Sequence, residues 1–364
     1  MSILEKKSAV TVELDALTQG SIPFTTLEEA FGPESLGIIV VKGLPERFQS
    51  LRLRLLSYSS YLANLPEQSL KQLESPDSHY LVGWSLGKEK LKDGAYDTFK
   101  GSYYVNCAPS FSQGDTQTSL ATRYPTFPEY TAPNVWPSED TLPGFRESFE
   151  ELCTLIIDVA VLVARACDRY AEKNIDGYKP GYLEHVVNSS VSTKARLLHY
   201  FPPPSADNNK SADEDDWCAT HVDHGCLTGL TSAMFIDEDA SVPTLLRGLS
   251  ELNDRSHVPK DLTELAQSPD PQAGLYIHSR SGAVTKVAIP RDCLAFQTGE
   301  ALEIITKGKF KAVPHFVRGA KATKHTGRVA RNTLAVFTQP NLWEMIDEKR
   351  SFAEFAREIV ERNH

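Results

Sequence analysis

Apolar positions recur along the chain with two different periods. In residues 51–65, Leu51, Leu55, Tyr58 and Leu62 return every three or four positions, the spacing of one helix face. Pro66 ends that helix and opens a shorter one. A longer helix starts at Pro143, where Phe145, Phe149, Leu152, Ile156, Val159, Val163 and Tyr170 keep the helical spacing, so one face must be buried. Beyond about residue 195 the pattern changes to short β-like runs at 197–202, 230–236, 284–289, 293–298 and 333–339, separated by turn residues. An earlier run, GIIVVKG at 37–43, reads as a buried strand between glycines. Residues 80–107, rich in Gly, Tyr and Ser, read as loops or irregular strands. Residues 125–143 hold five prolines and read as an ordered connector. Residues 203–216 and 238–272 are polar loops, the second with a short helix around 259–267. Ser351 and Glu354 form a capping box that opens a C-terminal helix. Many short strands with few helices between them point to a sandwich or jelly roll.

Composition narrows the class. Of 364 residues, 41% are hydrophobic, which is enough apolar surface for a core and excludes whole-chain disorder. The 38 basic and 48 acidic residues leave a net charge of −10, the wrong sign for a nucleic-acid coat. The longest apolar run, residues 159–164, falls well short of the ~20 residues of a membrane span. The first residues, MSILEKKSAV, lack an apolar leader core, so a cytoplasmic location is expected. Six cysteines with no CxxC pair read as reduced thiols rather than a zinc site. Residues 307–331 carry eight Lys or Arg and no acid. This stretch either attracts a dianion or forms a solvated face balanced by the acidic residues 213–216.

The candidate chemistry starts at His221-Val222-Asp223. Positions i and i+2 of a strand share a side, so this His and Asp can grip one metal ion. Two imidazoles and one carboxylate with open positions suit non-haem Fe(II). HxD alone is common by chance, and His257, His278, His315 and His325 all compete to supply the third ligand.

Several segments, in order, carry a resemblance. They are Asn134-Val135-Trp136-Pro137 with Leu142-Pro143-Gly144-Phe145-Arg146, then HVDHGCLTGL at 221–230, then Gly274-Leu275-Tyr276-Ile277, then Gly299-Glu300-Ala301-Leu302-Glu303. They continue with Thr306-Lys307-Gly308-Lys309-Phe310-Lys311 into Val313-Pro314-His315-Phe316-Val317, and end with Arg331-Asn332-Thr333. Together they resemble the isopenicillin N synthase-like, Fe(II)- and 2-oxoglutarate-dependent oxygenases over about residues 130–340. The resemblance implies an α+β fold with a distorted double-stranded β-helix (jelly roll) core and flanking helices. Residues 1–130 would pack on the core, 131–340 would form it, and 341–364 would add a C-terminal helix, all in one catalytic unit. The resemblance makes His221, Asp223 and His315 the iron ligands and the catalytic centre, which requires 238–272 to be an insertion. It makes Arg331 the partner of the distal carboxylate of 2-oxoglutarate, since a guanidinium matches a carboxylate with two parallel hydrogen bonds. Thr333 would add a hydroxyl. His199 and His224 read as supporting or packing residues.

The implied reaction uses Fe(II), 2-oxoglutarate and O2 to hydroxylate or desaturate a small organic molecule, releasing succinate and CO2. The substrate would be met by Trp84, Lys100, Tyr103, Tyr104 and Asn106, or these residues would pack an N-terminal loop on the barrel. Neither a nucleic-acid nor a membrane partner is expected. One departure stands out. The tyrosine that assists 2-oxoglutarate in the resembled family falls on Phe201, and Tyr200 would point to the opposite side of a regular strand. That favours an alternative, an oxidase using iron and O2 without 2-oxoglutarate. A second alternative is a binding protein on the same fold without turnover.

Overall fold

The computed structural model describes residues 8–89, 96–111, 113, 115–202, 218–242, 258–279, 282–319 and 328–363. The strands are β1 (Val10–Glu13), β2 (Ile38–Lys42), β3 (Gly83–Ser85), β4 (Lys100–Asn106), β5 (Lys194–Tyr200), β6 (Cys218–His221) and β7 (Leu227–Thr231). They continue with β8 (Met234–Asp237), β9 (Gly274–His278), β10 (Val284–Val287), β11 (Leu294–Thr298), β12 (His315–Arg318) and β13 (Val329–Thr338). The helices before β6 are α1 (Leu14–Thr18), α2 (Phe24–Phe31), α3 (Arg47–Ala63), α4 (Glu67–Gln72), α5 (Thr116–Arg123), α6 (Pro128–Thr131), α7 (Phe145–Asn174) and α8 (Tyr182–Asn188).

Among the described residues, the strands form two sheets. The larger runs β1-β2-β11-β7-β13-β5-β4-β3, with β8 also on β13, and the smaller runs β10-β9-β12-β6. Their inner faces meet: Ile38 and Val40 of β2 and Ala295 of β11 pack with Ile277 of β9 and Val287 of β10. The outer face of the larger sheet carries α3 and α7. Period-two alternation divides β4 and β5 between the two faces. Tyr103, Val105, Ala195 and Leu197 join the helix-side core, whereas Leu198 and Tyr200 face the smaller sheet.

Helix α7 is the spine of the helix-side core. Its apolar stripe buries Phe145, Phe149, Ile156 and Val163 completely, each worth about 1.5–3 kcal/mol of transfer free energy. Pro143 lies outside the helix; the first turn is entered through Gly144 at φ 72°. At Gly229 the sheet meets α7 so closely that a Cβ would stand 2.4 Å from Ile156 Cγ2, so the position has no room for a side chain.

Two expectations need correction. The single run expected at 230–236 is two strands, because the register along β13 slips by one residue between Leu230 and Met234. Such a bulge re-aims side chains, and here it lets both Leu230 and Phe235 face the space between the sheets. The helix expected around 259–267 is absent. Arg52, buried in α3, holds the segment with two hydrogen bonds to Glu264 at 2.8 and 3.0 Å, Arg54 pairs with Asp261, and Leu262 is buried. These tertiary contacts override the local preference. The capping box is formed: Ser351 N donates to Glu354 Oε2 at 2.7 Å, and Glu354 N to Ser351 Oγ at 3.3 Å. The loop expected at 203–216 lies outside the described residues.

Candidate active site

β6 and β12 are antiparallel neighbours, and their register sets His221 opposite His315 with ring centroids 4.3 Å apart. Asp223 lies just beyond the end of β6, so a turn rather than a shared strand brings it to the histidines. Asp223 itself is held through its carbonyl and its carboxylate. Glu300 N donates to Asp223 O at 2.8 Å, and Thr228 Oγ1 donates to Asp223 Oδ2 at 2.6 Å. The other carboxylate oxygen, Oδ1, faces His221 Nε2 at 3.7 Å and His315 Nε2 at 3.9 Å. One donor atom from each of the three residues lies within 4.8 Å of the others. Two imidazoles and a carboxylate converging in this way, with one side open, fit a divalent first-row metal such as Fe(II). His315 is buried; desolvation pushes its pKa down and His221 adds to this, against the opposing pull of Asp223. A ring kept neutral is the form that binds metal.

The triad opens into a cavity of about 260 Å³ between the sheets. Leu198, Leu230, Phe235, Ile289 and Val317 form apolar wall, and Arg331 and Thr333 of β13 enter from the larger sheet. Arg331 is buried, with its guanidinium carbon 4.9 Å from the centre of the Tyr200 ring. The strand register explains the contact, since Arg331 pairs with Tyr200 and Thr333 with Leu198.

Here the sequence expectation is reversed. Tyr200, not Phe201, is the aromatic residue on the cavity side. The inward positions of β5 are Arg196, Leu198 and Tyr200. Phe201 keeps the alternate, helix-side face of Leu197 and His199, edge-on to His199 with centroids 4.6 Å apart. Counting back from Pro202 therefore points to the wrong residue.

The five residues expected to meet substrate do not line this cavity: Trp84 and Tyr103 face the helices, and Lys100, Tyr104 and Asn106 lie a strand beyond β5. Trp84 and Tyr103 belong to the helix-side core, where Tyr103 packs against Trp136, Phe145 and Phe149 and its hydroxyl donates to Val135 O. Lys100, Tyr104 and Asn106 take the opposite face, next to β5. Asn106 Oδ1 accepts from the buried Lys194 Nζ at 2.8 Å. Lys100 pairs with Glu89 at 2.8 Å and Asp97 at 3.2 Å, and Glu89 also takes Arg196 and the Tyr104 hydroxyl. Burial raises the pKa of Glu89, but Arg196 and Lys100 outweigh it and hold the carboxyl at about 2.

Of the competing histidines, His278 lies at the end of β9 with its ring against Phe316, outside the triad. His257 and His325 lie outside the described residues. His199 pairs with Asn332 on the helix side, and His224 with Glu300. In the basic stretch Arg331 enters the cavity, while Lys311 pairs with Glu303 at 2.8 Å.

Sequence reasoning missed Tyr200, Arg196, Thr228 and Gln297. The last two are apolar-run neighbours in the sequence, and only strand pairing shows what they touch.

No family model matches the chain. A curated 2-oxoglutarate-dependent dioxygenase of Gibberella zeae is 24% identical over 187 residues, 51% of this chain and 44% of that protein. The chain thus matches less than half the length of that relative. Among solved structures, a 2OG-Fe(II) oxygenase family protein from Caulobacter crescentus superposes with TM-score 0.66 at 17% identity, covering 100% of both chains. A full-length Neurospora crassa protein solved in complex with alpha-KG gives 0.62 at 19% identity, over 95% of this chain and 90% of that one. No described helix is long and apolar enough to cross a membrane. The chain therefore has the fold of the 2-oxoglutarate- and Fe(II)-dependent oxygenases, a double-stranded β-helix with helices along its larger sheet.

Proposed function

We propose that the protein is an Fe(II)- and 2-oxoglutarate-dependent oxygenase that oxidises a small organic molecule, with residues 1–364 acting as one catalytic unit. A single observation carries the reading: the His221–Asp223–His315 cluster and the Arg331–Tyr200 pair line the same cavity. His221 Nε2, His315 Nε2 and Asp223 Oδ1 would hold Fe(II). Arg331 would receive the distal carboxylate of 2-oxoglutarate, with hydroxyls from Thr333 and Tyr200 beside it. With O2, iron and 2-oxoglutarate supply C–H oxidation coupled to release of succinate and CO2. The protein's part is to fix three ligands, leave the opposite side open and keep water from the reacting centre through the apolar wall.

Tyr200 on the cavity side removes the reason for preferring an oxidase that dispenses with 2-oxoglutarate. Lys100 and Tyr104, on the cavity-side face of β4 but one strand away from the cavity, are the candidates retained for contact with substrate at its edge. Trp84 and Tyr103 are assigned to the core.

The test is an anaerobic titration. Fe(II) and then 2-oxoglutarate are added to metal-free protein, and the visible charge-transfer band of a chelated 2-oxo acid is followed. The band is expected, with loss in His315→Ala. Iron binding without a band would favour the oxidase, and no iron binding would leave a binding protein on this fold.

A further inference from the structure

Two of the three candidate ligands are each gripped by one residue of a single rung of the larger sheet. Thr228 of β7 and Gln297 of β11 are direct cross-strand partners. Both are almost fully buried. The Thr228 hydroxyl donates to Asp223 Oδ2 at 2.6 Å, leaving Oδ1 toward the two histidines. The Gln297 side-chain amide lies 2.8 Å from His315 Nδ1.

Resting on the metal-site reading above, we infer that the Thr228–Gln297 rung is a positioning device. It sets Asp223 to bind through one oxygen and His315 to bind through Nε2. The argument for His315 turns on who can donate. Val313 O stands 3.2 Å from His315 Nδ1 and also takes a longer bond from Gln297 Nε2 at 3.5 Å; a carbonyl only accepts, so the nearer contact is a bond when Nδ1 carries the hydrogen and Nε2 the lone pair. An amide NH2 facing that same nitrogen would set donor against donor, while Gln297 Oε1 is buried with no hydrogen-bond partner among the described residues. A half-turn of the amide brings Oε1 to Nδ1–H and satisfies the orphaned acceptor, giving up only the long 3.5 Å bond from Gln297 Nε2 to Val313 O. The imidazole is then locked with Nε2 toward Asp223 Oδ1. An outer residue that fixes a ligand's tautomer and orientation typically alters metal affinity 10–100-fold when removed.

The experiment measures metal binding without turnover. Anaerobic calorimetric titration of metal-free protein with Fe(II), without 2-oxoglutarate, is run on wild type, Gln297→Leu, Gln297→Glu, Thr228→Val and Thr228→Ser. We expect affinity to fall about 10–100-fold in Gln297→Leu and Thr228→Val. Gln297→Glu keeps an acceptor and Thr228→Ser keeps a hydroxyl, so both should stay within a few fold of wild type. Independently, long-range proton–nitrogen spectra of 15N-histidine wild-type protein should show His315 as the Nδ1–H tautomer. That readout needs no variant to fold and would not respond to a packing role. Equal affinity in all variants, equal weakness of Gln297→Leu and Gln297→Glu, or an Nε2–H tautomer at His315 would overturn the inference. Wild type that binds no Fe(II) would overturn the metal site and the rung together, which separates the two failures.

Discussion

Arg331 lies over the ring of Tyr200, 4.9 Å from its centre, because the two are cross-strand partners on β13 and β5. The ring face restrains the guanidinium on the cavity side, where its fork can meet a carboxylate. Arg331→Lys keeps the charge and loses the fork. Charge-assisted hydrogen bonds are worth about 1.5–3 kcal/mol each, so 2-oxoglutarate should bind about 10–100-fold more weakly while Fe(II) affinity is unchanged. Tyr200→Phe should weaken 2-oxoglutarate less, and Phe201→Tyr should leave it unchanged. Anaerobic titration of the iron-loaded proteins gives the ranking; a response to Phe201→Tyr with none to Tyr200→Phe would remove Tyr200 from the cosubstrate site.

Gly299 is a close-approach position. A Cβ there would stand 2.3 Å from Gly225 O and 2.9 Å from Asp223 O, so Gly299→Ala must push the Asp223 turn away from the helix at Glu300–Ile305. Both a weaker Fe(II) affinity and a lower melting temperature are expected, since the turn carries the candidate ligand Asp223 and both contacts are backbone. A variant with wild-type Fe(II) affinity would show that Asp223 holds its place independently of this contact.

Glu89 links Lys100 and Arg196 beside the cavity. Its folded-state pKa, about 2, lies below the ordinary 4.5. The charged form is therefore favoured by folding. The stabilisation is present in full above pH 4.5 and is lost as pH falls toward about 2. Urea unfolding at neutral pH should show Glu89→Gln to be less stable than wild type, with the gap closing across that acid window. A gap that persists unchanged at pH 2 would mean the side chain acts through packing and not through its charge.

Tyr103 serves the core rather than the substrate. Tyr103→Phe leaves Val135 O without the buried hydroxyl that donates to it, a cost of about 1–3 kcal/mol. Denaturation should register that loss, while the Fe(II) and 2-oxoglutarate affinities stay as in wild type. Weakened ligand binding without loss of stability would return Tyr103 to the site.

Much of the site was legible in the sequence. His221, Asp223, His315, Arg331 and Thr333 sit in short segments whose neighbours carry a family resemblance, and the structure brings all five to one cavity. The rest was hidden for a specific reason in each case. Tyr200 was misplaced because alternation tells which residues share a face but not which face meets the cavity; Arg196, Leu198 and Tyr200 share the cavity face, and Phe201 shares the helix face with Leu197. Trp84 and Tyr103 looked like substrate contacts because an aromatic in a Gly- and Tyr-rich stretch gives no sign of which sheet face it takes.

By itself the sequence determined the periodic elements, because apolar spacing of 3.6 or 2 is a local property that burial requires. It determined α3, α7, several core strands and the C-terminal capping box, and it supplied the candidate ligand types, but it read residues 80–107 as loops or irregular strands where β4 is a regular buried strand. The tertiary structure alone decided which side chains meet. The one-residue slip between β7 and β8, the refusal of residues 259–267 to form a helix under the grip of Arg52, and the pairing of Thr228 with Gln297 all arise between segments distant in the chain. Strand register and cross-strand partnership are set by the packing of the whole sheet. A change of one residue in register moves every side chain of a strand to its other face.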